Sequence, residues 1–363
     1  LIFLKAVLAK FALVLASVGI ALVVLEVGLR FLGPPPASAP LVPDPVFDHV
    51  HLRDFAYKAY SPDGQFQSFT VYWDAEGLVA DPKNSHEPDV VARPRTIALM
   101  GDSFVEAGQV PYATSFAGIL NQHAAADTSF LNWGVSSYSP MLYVLLWRNR
   151  ILPTHPAHVF LLLYENDVND DTVYSGKAKF DADGFPVSVT GSPEPLVLAW
   201  IRRSSLFRTL RYAFLKIQAG HSGTDASRAV NAGNYLEVSP DISPLTARML
   251  LGLKKEVEAS GAKLTVLSVP SRRSDILGDP PDSPVPFAAR AHAWCRENGI
   301  DYIDLEAPFQ NSRKSQGNGK LFFAKDIHFT EAAHRIVAAE IEARYPEYFL
   351  PEGKEVPAPQ PSW

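Results

Sequence analysis

The sequence predicts an α/β protein built on a parallel sheet, and three observations carry that prediction. Short apolar runs rich in strand formers recur at 96–101 (TIALMG), 129–134 (SFLNWG), 158–163 (HVFLLL), 263–268 (KLTVLS) and 300–305 (IDYIDL). Stretches with helical spacing of apolar residues separate them. The first three runs give way to Gly101, Gly134 and the pair Asn166-Asp167, so small or polar groups gather at strand ends. Strand, helix and strand repeated in this way imply right-handed crossovers and a parallel sheet.

The 363 residues suit one large domain or two small ones with a proper core. A net charge of -6 and a pI near 5.9 leave no basic field, which argues against nucleic acid as a partner. The lone cysteine, Cys295, rules out an internal disulfide and lies in an amphipathic helical pattern where a buried apolar role is expected. No cofactor or metal motif is present. His49 and His51 lack a carboxylate-rich neighbourhood and are expected at the surface.

Taken in order, residues 1–33 form an apolar segment without charge from 11 to 25, and a span over 11–32 is long enough to cross a bilayer. Glu26 and Arg30, four apart, are placed to pair near its outer end. Lys5 and Lys10 precede the segment and only Arg30 closely follows it, which favours a single pass with the amino end in the cytoplasm. The triplet at 37–39 is a poor cleavage signal, so an uncleaved anchor is expected over a signal peptide. Six prolines over 33–45 make a stiff linker, and the lead-in segment to residue 94 carries FQSFTVYWDAEGL, the pattern of one or two strands or a hairpin.

The main domain runs over 95–350. Within it, 112–126 and 141–152 are expected helices, and a region from about 172 to 243 interrupts the rhythm. That insertion holds a hairpin with Asp-Gly at its turn, one basic amphipathic helix (LVLAWIRRSSLFRTLRYAFLKI) and a polar stretch over 218–239. A lid or a partner surface suits its length. Helices follow over 245–260 and 286–298, then a last one over 330–345, and the proline-rich 351–363 reads as a disordered tail.

The chemistry gathers at strand ends. Ser103 follows the first parallel strand, where an open α/β sheet places its ligands. A hydroxyl nucleophile needs a base, and His328 precedes the last helix, with Asp326 two residues before it to orient the ring. Candidate oxyanion donors are the backbone N–H groups of Ser103 and Gly134 and the amide of Asn166.

These residues fall in four blocks: Gly101-Asp102-Ser103, Asn132-Trp133-Gly134, Asn166-Asp167 and Asp326-Ile327-His328. In that order they resemble the SGNH, or GDSL-type, hydrolase superfamily, specifically its membrane-anchored bacterial members. The resemblance covers about 95–345. It implies a flavodoxin-like three-layer α/β/α sandwich with Ser103 as nucleophile, His328 as base, Asp326 as its partner, and Gly134 and Asn166 in the oxyanion hole. Two positions depart from the family pattern. Glu165 stands where a glycine is usual, and Lys325 stands where the acidic residue often lies, so that the shorter Asp-x-His spacing resembles alginate O-acetyltransferase-like relatives. The expectation is a serine esterase or O-acyltransferase in the cytoplasmic membrane with its main domain outside, in the periplasm or its equivalent. It would act on acylated, above all acetylated, cell-envelope or exported carbohydrate. The alternative is a catalytically silent subunit of a membrane-protein complex.

Overall fold

The computed structural model describes residues 2–33, 41–61, 64–82, 94–221, 241–271, 285–316, 320–324 and 326–350. The linker over 34–40, most of the polar stretch of the insertion and the tail lie outside these residues, as does Lys325. An apolar helix, α1 (Ile2–Phe31), comes first. Two short antiparallel strands follow, β1 (Leu41–Asp44) and β2 (Asp48–His51), and then β3 (Phe55–Ala59), β4 (Phe69–Trp73) and β5 (Val79–Ala80).

The parallel strands are β6 (Arg95–Gly101), β7 (Thr128–Asn132), β8 (His158–Leu163), β11 (Lys263–Ser268) and β12 (Asp301–Ile303). Among the described residues, eight strands join in the order β12-β11-β8-β6-β7-β5-β4-β3. The five parallel ones stand in the flavodoxin-like order, with the first strand between the second and the third. The lead-in contributes the rest: β5 pairs antiparallel with β7 at Val79 and Asn132, and β4 and β3 extend the sheet beyond it.

Alternation along the strands fills two layers. On one face Ala98, Met100, Leu131, Val159, Leu161 and Val266 pack with α4 (Pro140–Leu146), α8 (Pro244–Ala259) and α9 (Phe287–Glu297), which buries Cys295. On the other, Ile97, Leu99, Phe130, Phe160 and Leu162 pack with α2 (Ser103–Glu106), α3 (Phe116–His123), α10 (Glu306–Gln316) and α11 (Glu331–Arg344). The β6 strand is buried over six of its seven residues, as a central parallel strand must be. Its neighbours β7 and β8 lie on opposite sides, so the chain leaves in two directions and a crevice opens beyond the carboxyl ends of β6 and β8.

Several elements differ from the sequence expectation. The helix over 141–152 stops at Leu146 and continues as a π turn, Trp147–Ile151, and a short 3-10 turn. The single basic helix is two, α6 (Leu196–Arg203) and α7 (Ser205–His221), broken at Ser204. α10 was not expected at all. The insertion also supplies α5 (Asp167–Ser175) and the expected hairpin, β9 (Ala178–Phe180) with β10 (Pro186–Val189).

Candidate active site

The turn after β6 explains why Ser103 sits where it does. Gly101 is compelled: a Cβ there would lie 2.4 Å from Val105 Cγ2 and 2.9 Å from the Leu162 carbonyl. Asp102 then caps α2, its Oδ1 accepting the Phe104 N–H at 2.9 Å, so Asp102 takes the capping role and Ser103 begins the helix half-buried. A first-turn N–H such as that of Ser103 has no partner within its own helix.

His328 is set by a tight return of the chain between β12 and α11. Phe322 and Phe329 bridge antiparallel, Phe323 N–H donates to the His328 carbonyl at 3.1 Å, and Thr330 N–H donates to the Leu321 carbonyl at 2.9 Å. Thr330 is the residue before α11, but its hydroxyl donates to the Lys320 carbonyl at 2.7 Å and closes this loop instead of capping the helix. Within the return, His328 Nδ1 makes a short hydrogen bond to Asp326 Oδ1, which also accepts the His328 N–H at 3.0 Å. With its Nδ1 proton held there, the ring carries its lone pair on Nε2. That Nε2 is buried and has no hydrogen-bond partner. The ring lies 5.1 Å from that of Phe104, the residue next to Ser103.

The two other oxyanion candidates stand at neighbouring strand ends with their donors engaged. Gly134 N–H donates to Asn132 Oδ1 at 2.9 Å, and Asn132 Nδ2 donates to the Val105 carbonyl at 2.7 Å. A Cβ on Gly134 would fall 2.2 Å from Glu106 N, so glycine lets the β7 end touch the helix that carries the serine. Asn166 precedes α5; one hydrogen of its amide goes to Asp170 Oδ2 at 2.9 Å, while its Oδ1 is buried and unpartnered. Glu165 is half-buried in the turn before it.

Two features were not read from sequence. Beneath the serine turn, Asp102 and Asp167 are both 1% exposed, with Asp102 Oδ2 and Asp167 Oδ1 lacking any hydrogen-bond partner. Burial pushes the Asp102 carboxyl up to about 7, against the pull of the Phe104 amide and His328. Burial and then the Asp102 charge push the Asp167 carboxyl well above its ordinary value. Asp170 and Asp171, raised by burial to about 6, complete the group, with Asp171 held by Ser139 Oγ, Met141 N and Thr246 Oγ1. Both motif blocks contain an aspartate, and that was the available signal.

The second feature corrects the surface expectation for the early histidines. His51 is buried, stacked on Trp73 at 4.1 Å, with Nδ1 on the Gly77 carbonyl and Nε2 3.5 Å from Glu106 Oε1. His49 is half-buried between Asp48 and the Ser136 carbonyl. Burial pushes the Glu106 carboxyl up, but His51 and the Ser136 hydrogen bonds more than offset it and hold it below its ordinary value.

Residues 235–360 match a family model described as SGNH hydrolase-like domain, acetyltransferase AlgX. No curated protein matches the chain by sequence. Among solved structures, a member of the lipolytic G-D-S-L family from Veillonella parvula is 16% identical, covering 69% of this chain and 98% of its own, with a TM-score of 0.39. TesA is 14% identical over 70% of this chain and all of its own, at 0.40, and the acetyl xylan esterase AlAXEase is 11% identical over 69% and 98%, at 0.41. These likenesses are remote. The family match takes in the last parallel strands and the loop that joins Asp326 to His328, and over that segment the chain is similar to the SGNH hydrolase-like domain.

Proposed function

We propose that this protein is a membrane-tethered, extracytoplasmic enzyme that forms an acyl-Ser103 intermediate and passes the acyl group to water or to a carbohydrate hydroxyl. The observation that carries this reading is the His328 ring: Nδ1 is fixed by Asp326, and Nε2 is buried, unpartnered and beside the serine turn. A buried nitrogen lone pair without a donor is costly in a purely structural histidine and useful in a general base.

In this reading Nε2 takes the Ser103 Oγ proton as the oxygen attacks the acyl carbonyl. Asp326 stabilises the imidazolium, and the ring returns the proton to the leaving alkoxide. The Ser103 amide and the second hydrogen of the Asn166 amide face the developing oxyanion. Gly134 joins them by sharing the N–H that it gives to Asn132. Acetyl is the favoured acyl group, supported by the acetyltransferase description of the matching family, and a cell-envelope or exported polysaccharide is the favoured partner, supported by α1, whose segment Val7–Phe31 is long and apolar enough to cross a membrane.

A second reading, a silent accessory subunit, draws on the engagement of Gly134 with Asn132 and of Asn166 with Asp170. Fluorophosphonate labelling separates the two, read by intact mass and peptide mapping. One adduct on Ser103, lost in Ser103→Ala and His328→Ala, supports the enzyme; no adduct under conditions that label a control serine esterase supports the subunit. With the enzyme established, acetyl release weighed against transfer to an oligosaccharide distinguishes hydrolysis from acyl transfer.

A further inference from the structure

α1 does more than precede the domain. Between residues 7 and 33 its side chains are exposed except at Glu26 and Leu29, one helical turn apart, and this is where α7 packs. Glu26 caps α7: its carboxylate accepts the Ser205 N–H at 3.0 Å, the Leu206 N–H at 2.9 Å and the Ser204 hydroxyl at 2.8 Å. Arg30 completes the set with Nε at 3.0 Å. A carboxylate in so apolar a helix needs partners, and this one finds them in its own chain.

The two faces of α7 differ. On one, Arg208 lies 4.5 Å over the Phe55 ring and Tyr212 meets Tyr60 edge-on at 4.5 Å, which holds the helix to the lead-in. At 100° per residue the opposite face carries Phe207, Leu210, Phe214 and Ile217. They are 43%, 61%, 59% and 59% exposed, a continuous apolar stripe. Val197 and Leu198 on α6 are exposed as well, at 68% and 49%. Arg203, Arg211 and Lys216 stand exposed along the same two helices, the charge distribution of a helix lying on anionic headgroups.

The depth agrees. Glu26 lies five residues from the end of α1, about 7 Å along the helix axis. Interfacial helices bury their apolar face about 5–10 Å into the boundary between headgroups and acyl chains. Capping by Glu26 therefore starts α7 at the level where its stripe meets lipid.

We infer that α1 is retained in the mature protein and that α6 and α7 lie in the outer membrane–water interface as a second lipid contact. Span and platform together hold the domain at one height and orientation above the bilayer. The inference rests on the tethered reading above and adds to it a defined lipid-facing surface.

The full chain, reconstituted in nanodiscs of phosphatidylcholine and phosphatidylglycerol with and without spin-labelled lipids, tests this directly. An environment-sensitive fluorophore is placed singly at Leu22→Cys, Leu210→Cys, Phe214→Cys or Lys216→Cys, with unsubstituted chain as the control because Cys295 is buried. Lipid quenching at 210 and 214 about threefold stronger than at 216, alongside strong quenching at 22, is the expected result. Quenching at 22 without quenching at 210 and 214 overturns the platform and leaves the tether standing. A blue-shifted emission at 210 and 214 that lipid does not quench replaces lipid with a protein partner. No quenching at 22, or a mature amino terminus beyond residue 33, removes span and platform together.

Discussion

Two histidine–carboxylate pairs lie at the serine helix, which itself carries one of the carboxylates, and they differ in what the second ring nitrogen faces. His51 faces Glu106 from a buried site, stacked on Trp73, its Nδ1 on a carbonyl and its Nε2 toward the carboxylate. Glu106 is further held by the Ser136 N–H at 2.7 Å and by its hydroxyl. His328 faces Asp326 from a loop, and one nitrogen is left without a partner. The chemistry of the two pairs is the same, so composition alone cannot assign their roles. In the first pair the second nitrogen faces a fixed carboxylate at 3.5 Å, which ties β2 to α2; in the other it faces no such group and keeps a lone pair for a substrate proton.

The largest expected effect comes from the His328 pair. His328→Ala should lower fluorophosphonate labelling and any esterase rate about 10²- to 10⁴-fold, the range for loss of a general base, and leave the unfolding midpoint nearly unchanged. Ser103→Ala should abolish the adduct. His51→Ala should do the reverse. Removing one partner of a buried pair costs about 3–5 kcal/mol, so the midpoint falls while labelling per folded molecule stays near the parent value. A His51→Ala protein that unfolds normally and labels poorly would reverse the assignment of the two pairs.

Gly134 links the pairs, since its backbone touches α2 between Ser103 and the Glu106 amide. Gly134→Ala places a methyl group 2.2 Å from Glu106 N and 2.5 Å from the Val105 carbonyl carbon, so α2 must move. Overpacking of this kind costs about 1–3 kcal/mol. A loss in both melting temperature and labelling is expected, where each histidine variant moves only one of them. Loss of labelling with an unchanged midpoint would instead mark Gly134 as an oxyanion donor whose packing role is slight.

Much of this was legible because it is local. The apolar run Ile97 to Met100 announces β6, and Asp326 and His328 are two apart, so one loop contains the pair. The His51 pair was not legible. His51 and Glu106 are far apart in sequence and meet only because β5 pairs with β7, a contact with no sequence signature. The break in the basic helix at Ser204 has the same origin, for its cap is Glu26 of α1. α10 was missed for another reason: EAPFQNSRKSQ is polar and carries a proline, and its main buried anchor is Phe309.

A third carboxylate group, hydrogen-bonded to no histidine among the described residues, sharpens the contrast through pH. Asp102, pushed up to about 7 by burial, keeps a proton in the folded protein that the unfolded chain, near 3.8, gives up. Between about pH 4 and 7 the folded state therefore binds more protons, and this contribution to stability declines as pH rises through that window. His158 and His334, lowered by burial to about 3, act with the opposite sign, losing stability as pH falls below about 6.5. Both persist in Asp102→Asn, so the difference between variant and parent cancels them. Asparagine can still accept the Phe104 N–H and has no proton to lose. The variant should gain on its parent as pH rises from 4 to 7 and hold a constant lead above that, about 2–4 °C in midpoint for each kcal/mol recovered. A difference that is flat across the window would mean that Asp102 is ionised throughout. The serine turn would then rest on a buried charge rather than on a shared proton.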